Sequence, residues 1–130
     1  MKGYVVNIEQ ETLNNTDFRR VLYTGKHSQL VVMSLKPGED IGEEVHKLDQ
    51  FIRIEAGQAE VVIDGTTHQL PADSAVIIPH GAKHNVINTG DEDVKLYTIY
   101  SPPEHLDGTI RATKEEATSN PEHFDGTTTE

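Results

Sequence analysis

The 130-residue sequence contains no cysteine and no tryptophan. Without cysteine there can be no disulfide, no thiol nucleophile and no thiolate ligand for zinc. Any chemistry rests on histidines, carboxylates, hydroxyls and amides. Aromatics are few, four tyrosines and three phenylalanines, so a large aromatic core is excluded. Positive charge is scarce as well: 11 Lys and Arg stand against 22 Asp and Glu, a net −11. That balance has the wrong sign for a nucleic-acid face or an anionic membrane surface. No run approaches the roughly 18 consecutive apolar residues of a membrane helix. The opening Met1-Lys2-Gly3-Tyr4 leads into mixed polar sequence rather than a secretory signal. The expectation is a cytoplasmic protein with neither nucleic acid nor membrane as partner. The length suits one domain.

What is present is a series of short β-type runs. Leu30-Val31-Val32-Met33, Val61-Val62-Ile63 and Ala75-Val76-Ile77-Ile78 are the clearest. Turn residues separate such runs every eight to twelve positions, the spacing of an all-β sandwich or barrel. The strands expected are Tyr4 to Ile8, Phe18 to Tyr23, Gln29 to Leu35, Gln50 to Glu55, Glu60 to Ile63, Thr66 to Leu70, Ser74 to Ile78, His84 to Asn88 and Val94 to Ser101. Asp64-Gly65 between two of them is a two-residue hairpin signal, because Gly takes a positive φ at little cost. One short helix is expected at Thr113, where Thr113 and Glu116 fit a capping box.

Residues 101–130 differ in texture. Seven acidic and two basic residues there carry −5 of the net charge, with few apolar residues. The expected division is a barrel domain over 1–110 and an acidic, mostly irregular tail over 111–130. The end of the chain also repeats itself: Pro103-Glu-His-Leu-Asp-Gly-Thr109 recurs as Pro121-Glu-His-Phe-Asp-Gly-Thr127. Two copies are too few for a solenoid. Either they are two similar Asp-Gly turns, or one copy folds over a site and lends it His105 or His123.

Two segments carry chemistry-bearing residues at set spacings. The first is Gly38-x5-Glu44-x-His46-x3-Gln50-x6-Gly57, and the second Asp73-x5-Pro79-x-Gly81-x2-His84-x3-Asn88. In every interval they resemble the two motifs of the cupin family, Gly-x5-His-x-His-x3,4-Glu-x6-Gly and Gly-x5-Pro-x-Gly-x2-His-x3-Asn. The resemblance covers roughly residues 25 to 101 and implies an all-β, single-domain cupin β-barrel (jelly-roll). Three identities depart from the pattern. Glu44 stands where a His is usual, Gln50 where a Glu is usual, and Asp73 where a Gly is usual.

The resemblance also implies a metal set of Glu44, His46, Gln50 and His84. Residues two apart on a strand share a side, so Glu44 and His46 can converge, with His84 entering from another strand. The usual carboxylate has then changed place, and the set keeps a charge of −1. Its N/O character suits a divalent ion such as Zn, Fe, Mn, Ni or Cu. A buried Glu44 would be costly to ionise alone, so its partner must be a metal, an Arg or a proton. Arg53, of the wrong parity, should point outward.

Family members include dioxygenases, isomerases, epimerases, decarboxylases, ligand sensors and storage proteins, and fold does not choose among them. Small phosphomannose isomerase-like cupins also mix Gln, His and Glu ligands. The expectation is a metal-binding cupin acting on a small polar molecule by sugar-phosphate isomerase-like or dioxygenase-like chemistry. The alternative is a non-catalytic cupin that binds a sugar or organic acid. Glu44 and Gln50 are the catalytic candidates. His105, Tyr97 and Tyr100 are candidates for contact with the small-molecule ligand, although only one of the two tyrosines can face inward. His27, His68 and His80 read as surface residues. A homodimer is expected through pairing of the Tyr4 to Ile8 strand.

Overall fold

A computed structural model describes residues Met1–Glu130. The elements in chain order are α1 (Ile8–Asn14), β1 (Arg19–Thr24), β2 (Gln29–Leu35), β3 (Glu44–Val45), β4 (Asp49–Ala56), β5 (Gln58–Ile63), β6 (Thr66–Pro71), β7 (Ala75–Ile78), β8 (Lys83–Asn88), β9 (Val94–Ser101), β10 (Ile110–Arg111) and α2 (Lys114–Ser119). Two antiparallel sheets result, ordered β10-β1-β2-β9-β4-β7 and β3-β8-β5-β6.

Period-two patterning places the core between the sheets. On β9, Val94, Leu96, Thr98 and Tyr100 are buried while Lys95, Tyr97 and Ile99 are not. The six-stranded sheet supplies Val31, Met33, Leu35, Ile52, Ile54 and Leu96, and the other sheet Ala59, Val61, Leu70 and Val86. Burying one such large aliphatic side chain contributes about 1.5–3 kcal/mol. The Asp64-Gly65 hairpin forms as expected: both residues have positive φ (45° and 84°), and Ile63 pairs with Thr66 across the turn.

Gly57 closes the first motif between β4 and β5 at φ 89°. A Cβ there would lie 2.6 Å from the Asp93 carbonyl oxygen, a rigid backbone atom. Gly57→Ala is therefore expected to destabilise the fold by about 2–3 kcal/mol, combining a clash with a strained φ. Urea unfolding would read this as a lower midpoint at unchanged slope.

The N-terminus departs from expectation. Residues 4–7 form no strand, and α1 begins at Ile8. Asn7 caps the helix by accepting from the Gln10 backbone N–H at 3.1 Å, and Glu9 and Glu11 occupy its favourable first turn. Tyr4-Val5-Val6 looked β-like by composition, yet Val5 is almost fully exposed. Tyr4 instead rests against Tyr23, ring centroids 5.6 Å apart. The strand on which a paired homodimer was to rest is absent.

The C-terminal segment has little regular structure after α2, as its composition suggested, but it is not loose. β10 pairs with β1, and the Val21 N–H donates to the Thr109 carbonyl at 2.9 Å. Thr113 caps α2 by accepting from the Glu116 N–H at 3.1 Å. Ala117 joins the core. The Thr129 N–H donates to the Thr24 carbonyl, and Glu130 accepts from the backbone N–H groups of Lys2 and Gly3 and from the Tyr23 hydroxyl. The tail thus wraps back across the barrel.

Candidate metal centre

Three side chains converge at one mouth of the barrel. β3 and β8 pair so that Glu44 lies directly opposite His84. His46 follows β3 immediately, with exposed Val45 between it and Glu44. This alternation turns Glu44 and His46 to one side, as their spacing required. One donor atom from each of Glu44, His46 and His84 lies within 4.8 Å of the others. The two imidazole rings are 5.0 Å apart and inclined at 62°. Both histidines are buried and Glu44 is half-buried at the rim.

Hydrogen bonding fixes which nitrogens face the cluster. His84 Nδ1 lies 2.9 Å from the Ala82 carbonyl, an arrangement in which Nδ1–H donates and Nε2 stays free. His46 turns Nε2 to Glu44 Oε2. Its Nδ1 is buried without a hydrogen-bond partner, and so is Gln50 Oε1. Gln50 acts on the His46 ring and favours its protonated form, so these two atoms are each other's natural partners. The Gln50 amide nitrogen donates to Thr98 Oγ1 at 3.1 Å. That bond turns the Gln50 carbonyl away from Thr98.

Burial pulls the His46 pKa down, but its bond to Glu44 and the charges of Glu44 and Glu104 outweigh it and raise the value above the ordinary 6.5. Burial likewise pushes Glu44 up. Its bond to His46 and the charges of His46, Arg19 and His105 hold its carboxyl below the ordinary 4.5. Below its raised pKa, the His46 imidazolium supplies Glu44 with the counter-charge that a cation would otherwise supply. Of the partners open to Glu44, Arg53 is excluded: it bonds Glu55 at 2.8 Å and Asp73 at 3.2 Å. The donor set fits a divalent ion, with two imidazole nitrogens, one carboxylate and a net charge of −1.

Tyr100 forms the wall behind His46, with ring centroids 5.9 Å apart. Burial pushes its phenol pKa well up, so the hydroxyl keeps its proton. That hydroxyl lies 3.3 Å from His105 Nε2, and His105 Nδ1 lies 3.1 Å from Glu122 Oε1. Glu122 also faces Arg19 at 3.6 Å and Arg111 at 3.7 Å. Arg19, His105 and Glu122 line a cavity of about 410 Å³ together with Glu44, His46 and Glu104, and most of its lining residues are polar; Tyr100 lies buried behind that lining.

Each sequence candidate can now be placed. Glu44, His46 and His84 come together. Gln50 lies behind His46, and Tyr100 and His105 form the adjacent wall. Tyr97 does not belong to the site: it points to the outer face of its sheet and packs on Phe51 at 6.1 Å. β9 alternates strictly, so Tyr97 and Tyr100 take opposite sides. His27, His68 and His80 are exposed. Sequence reasoning missed Arg19, Glu104 and Glu122. The repeat was the available signal, since Glu104 and Glu122 are its second residues.

Two facing antiparallel sheets with a histidine–carboxylate cluster at one mouth define a small metal-competent β-barrel. The family model for the cupin domain matches residues 31–100, and the chain belongs to the cupin family. It is 48% identical over 123 residues to the uncharacterized protein YrkC of Bacillus subtilis, covering 89% of this chain and 66% of that one. It is 50% identical over 113 residues to the uncharacterized protein L612 of Acanthamoeba polyphaga mimivirus, covering 82% and 70%. The chain thus spans about two thirds of the length of these curated relatives. The crystal structure of BH2720 from Bacillus halodurans superposes with a TM-score of 0.90 at 45% identity, covering 92% of this chain and 96% of that one.

Proposed function

We propose that the chain binds one divalent metal ion through Glu44, His46 and His84 and acts on a small polar molecule held in the adjoining cavity. The observation that carries this is the convergence of those three donor atoms within 4.8 Å in a buried mouth. When bound, the ion supplies Lewis-acid polarisation of a substrate oxygen. The chain's own residues do the rest. Gln50 Oε1, which like His46 Nδ1 has no other partner, would accept from Nδ1–H and so keep Nε2 turned to the cluster. Glu44, half-buried at the rim, can instead turn off the ion and take a proton from a bound molecule. His105 lines the same cavity, with the hydroxyl of Tyr100, kept protonated by burial, 3.3 Å from its Nε2 and Glu122 3.1 Å from its Nδ1. A carboxylate and an imidazole lining one polar cavity suit proton transfer within a substrate, as in an isomerase, more than an oxygenase reaction.

Metal analysis of protein purified without a histidine tag tests the reading. About one ion per chain is expected, and less than about 0.1 with no gain on adding Mn, Fe, Ni or Zn would refute it. Oxygen uptake with candidate substrates separates the two reaction types: consumption stoichiometric with turnover would reject the isomerase reading.

A further inference from the structure

The Pro-Glu-His repeat is not explained by the three-residue cluster. In space its two copies cross-pair. Glu122 of the second copy faces His105 of the first at 3.1 Å, and Glu104 of the first faces His123 of the second at 3.5 Å. The two pairs differ in one respect. Glu104 Oε1 also lies 4.0 Å from His46 Nε2, the nitrogen turned to the cluster.

The backbone around Glu104 is clamped. Its N–H and that of His105 donate to Gln29 Oε1 at 3.2 and 2.9 Å, and Gln29 Nε2 donates to the His105 carbonyl at 2.7 Å. Gln29 itself is fully buried. The Phe124 N–H donates to the Glu104 carbonyl at 2.9 Å, which ties the second copy onto the first. The Glu104 carboxylate is therefore delivered to the cavity by a fixed backbone, while its side chain stays free to turn.

We propose that Glu104, supplied by the segment that returns across the barrel mouth, is a fourth metal donor, making the site a two-histidine, two-carboxylate centre. This rests on the metal reading above. Two donors on one ion with bonds of about 2.1 Å stand about 3.0 Å apart when adjacent and about 4.2 Å when opposite. The 4.0 Å separation from His46 Nε2 falls in that range, although Glu104 stands outside the 4.8 Å cluster of Glu44, His46 and His84, so its side chain must turn inward to ligate. Charge favours it as well. Glu44 alone leaves a divalent ion at +1, whereas Glu44 with Glu104 neutralises it. Two carboxylates also tilt the site toward harder ions such as Mn²⁺. Gln50, bonded to Thr98 and placed behind His46, is then a positioning residue for His46. The repeat acquires a division of labour, with Glu104 ligating and Glu122 holding His105.

Calorimetric titration with Mn²⁺ and absorption spectra with Co²⁺ test this on the full chain. Glu104→Gln preserves the backbone bonds, and Glu104→Asp keeps the charge but withdraws the oxygens by one methylene. Both variants are expected to bind Mn²⁺ about 10–100-fold more weakly. The loss should persist at roughly 0.5 M salt, with altered Co²⁺ d–d bands. Affinity within twofold of wild type and an unchanged Co²⁺ spectrum, while His46→Ala abolishes binding, would overturn the role of Glu104 and leave the metal reading intact. A weakening that salt removes, with unchanged bands, would mean a distant charge only and would also overturn it. If wild type takes up no ion, or His46→Ala binds as wild type does, both readings fall.

Discussion

Replacing His84 with alanine is expected to weaken divalent-metal binding by roughly 10³-fold or more, beyond the 10–100-fold typical of losing a mere supporting partner. His84 is one of two imidazoles, and its free Nε2 is fixed by the Nδ1 contact to the Ala82 carbonyl. No neighbouring nitrogen can replace it. His46→Ala should behave alike. Gln50→Ala should cost less, about 10–100-fold, because it releases the His46 ring without removing a donor. Equal losses for Gln50→Ala and His84→Ala would instead make Gln50 a ligand.

The pH dependence has a definite sign. The ion needs a neutral His46, whose pKa without metal lies above 6.5. Affinity should fall at least about tenfold per pH unit below that raised value, because the His46 proton must leave before the ion binds. Metal-free stability runs differently. The His46 contribution is complete below 6.5 and is lost as pH rises through its raised value. The Glu44 contribution is present above 4.5 and is lost as pH falls through its lowered value. The Glu44–His46 pair therefore stabilises the metal-free protein most between about 4.5 and 6.5. Added metal should raise Tm most above that window. A Tm gain that peaks at pH 5 would contradict this assignment.

Much of the barrel was legible because its signals are local. Asp64-Gly65 dictates its own turn, β9 alternates strictly, and Gly57 sits where only a glycine fits against the Asp93 carbonyl. The cluster was legible because motif spacing fixes strand parity. What escaped was long-range or depended on capping. Tyr4-Val5-Val6 is β-like in composition, but Asn7 caps a helix directly after it. The tail lacks a hydrophobic pattern because polar groups hold much of it: Glu122 meets Arg19 from 103 positions away, and Glu130 reaches Lys2. No sequence period encodes such pairings. Gln50 was legible as a site residue, but its role follows from the Thr98 bond, which only the β4–β9 register reveals.

That polar seam carries the second large expected effect. Glu122→Ala should destabilise the protein by about 3 kcal/mol, or roughly 10 °C in Tm, because it removes the carboxylate paired with the buried Arg19 guanidinium and leaves only the more distant Glu44 charge. The two side chains are 10% and 8% exposed, so solvent screens them little. Arg19 Nε and Glu122 Oε1 already lack hydrogen-bond partners, so the pair works through charge more than through bonding. Removing one partner is therefore worse than removing both. The double variant Arg19→Met with Glu122→Leu should be more stable than either single change. Additive losses in that cycle would show that the two side chains are not coupled.

Acid should act on the same seam. Burial holds the His105 pKa below 6.5, so folded-state stability declines as pH drops under 6.5 and the unfolded chain takes the proton first. Despite burial, the close contact with His105 and its charge, with those of Arg19 and Arg111, keep Glu122 below 4.5, so a further decline begins under 4.5. The tail covers one side of the cavity, and hydrogen exchange at the Phe124 and Thr129 amides reports its attachment. Exchange there should accelerate between pH 6.5 and 4, after correction for intrinsic rates, before the β2 and β9 amides respond. Simultaneous loss of protection in tail and barrel would show that the seam opens only with the whole fold.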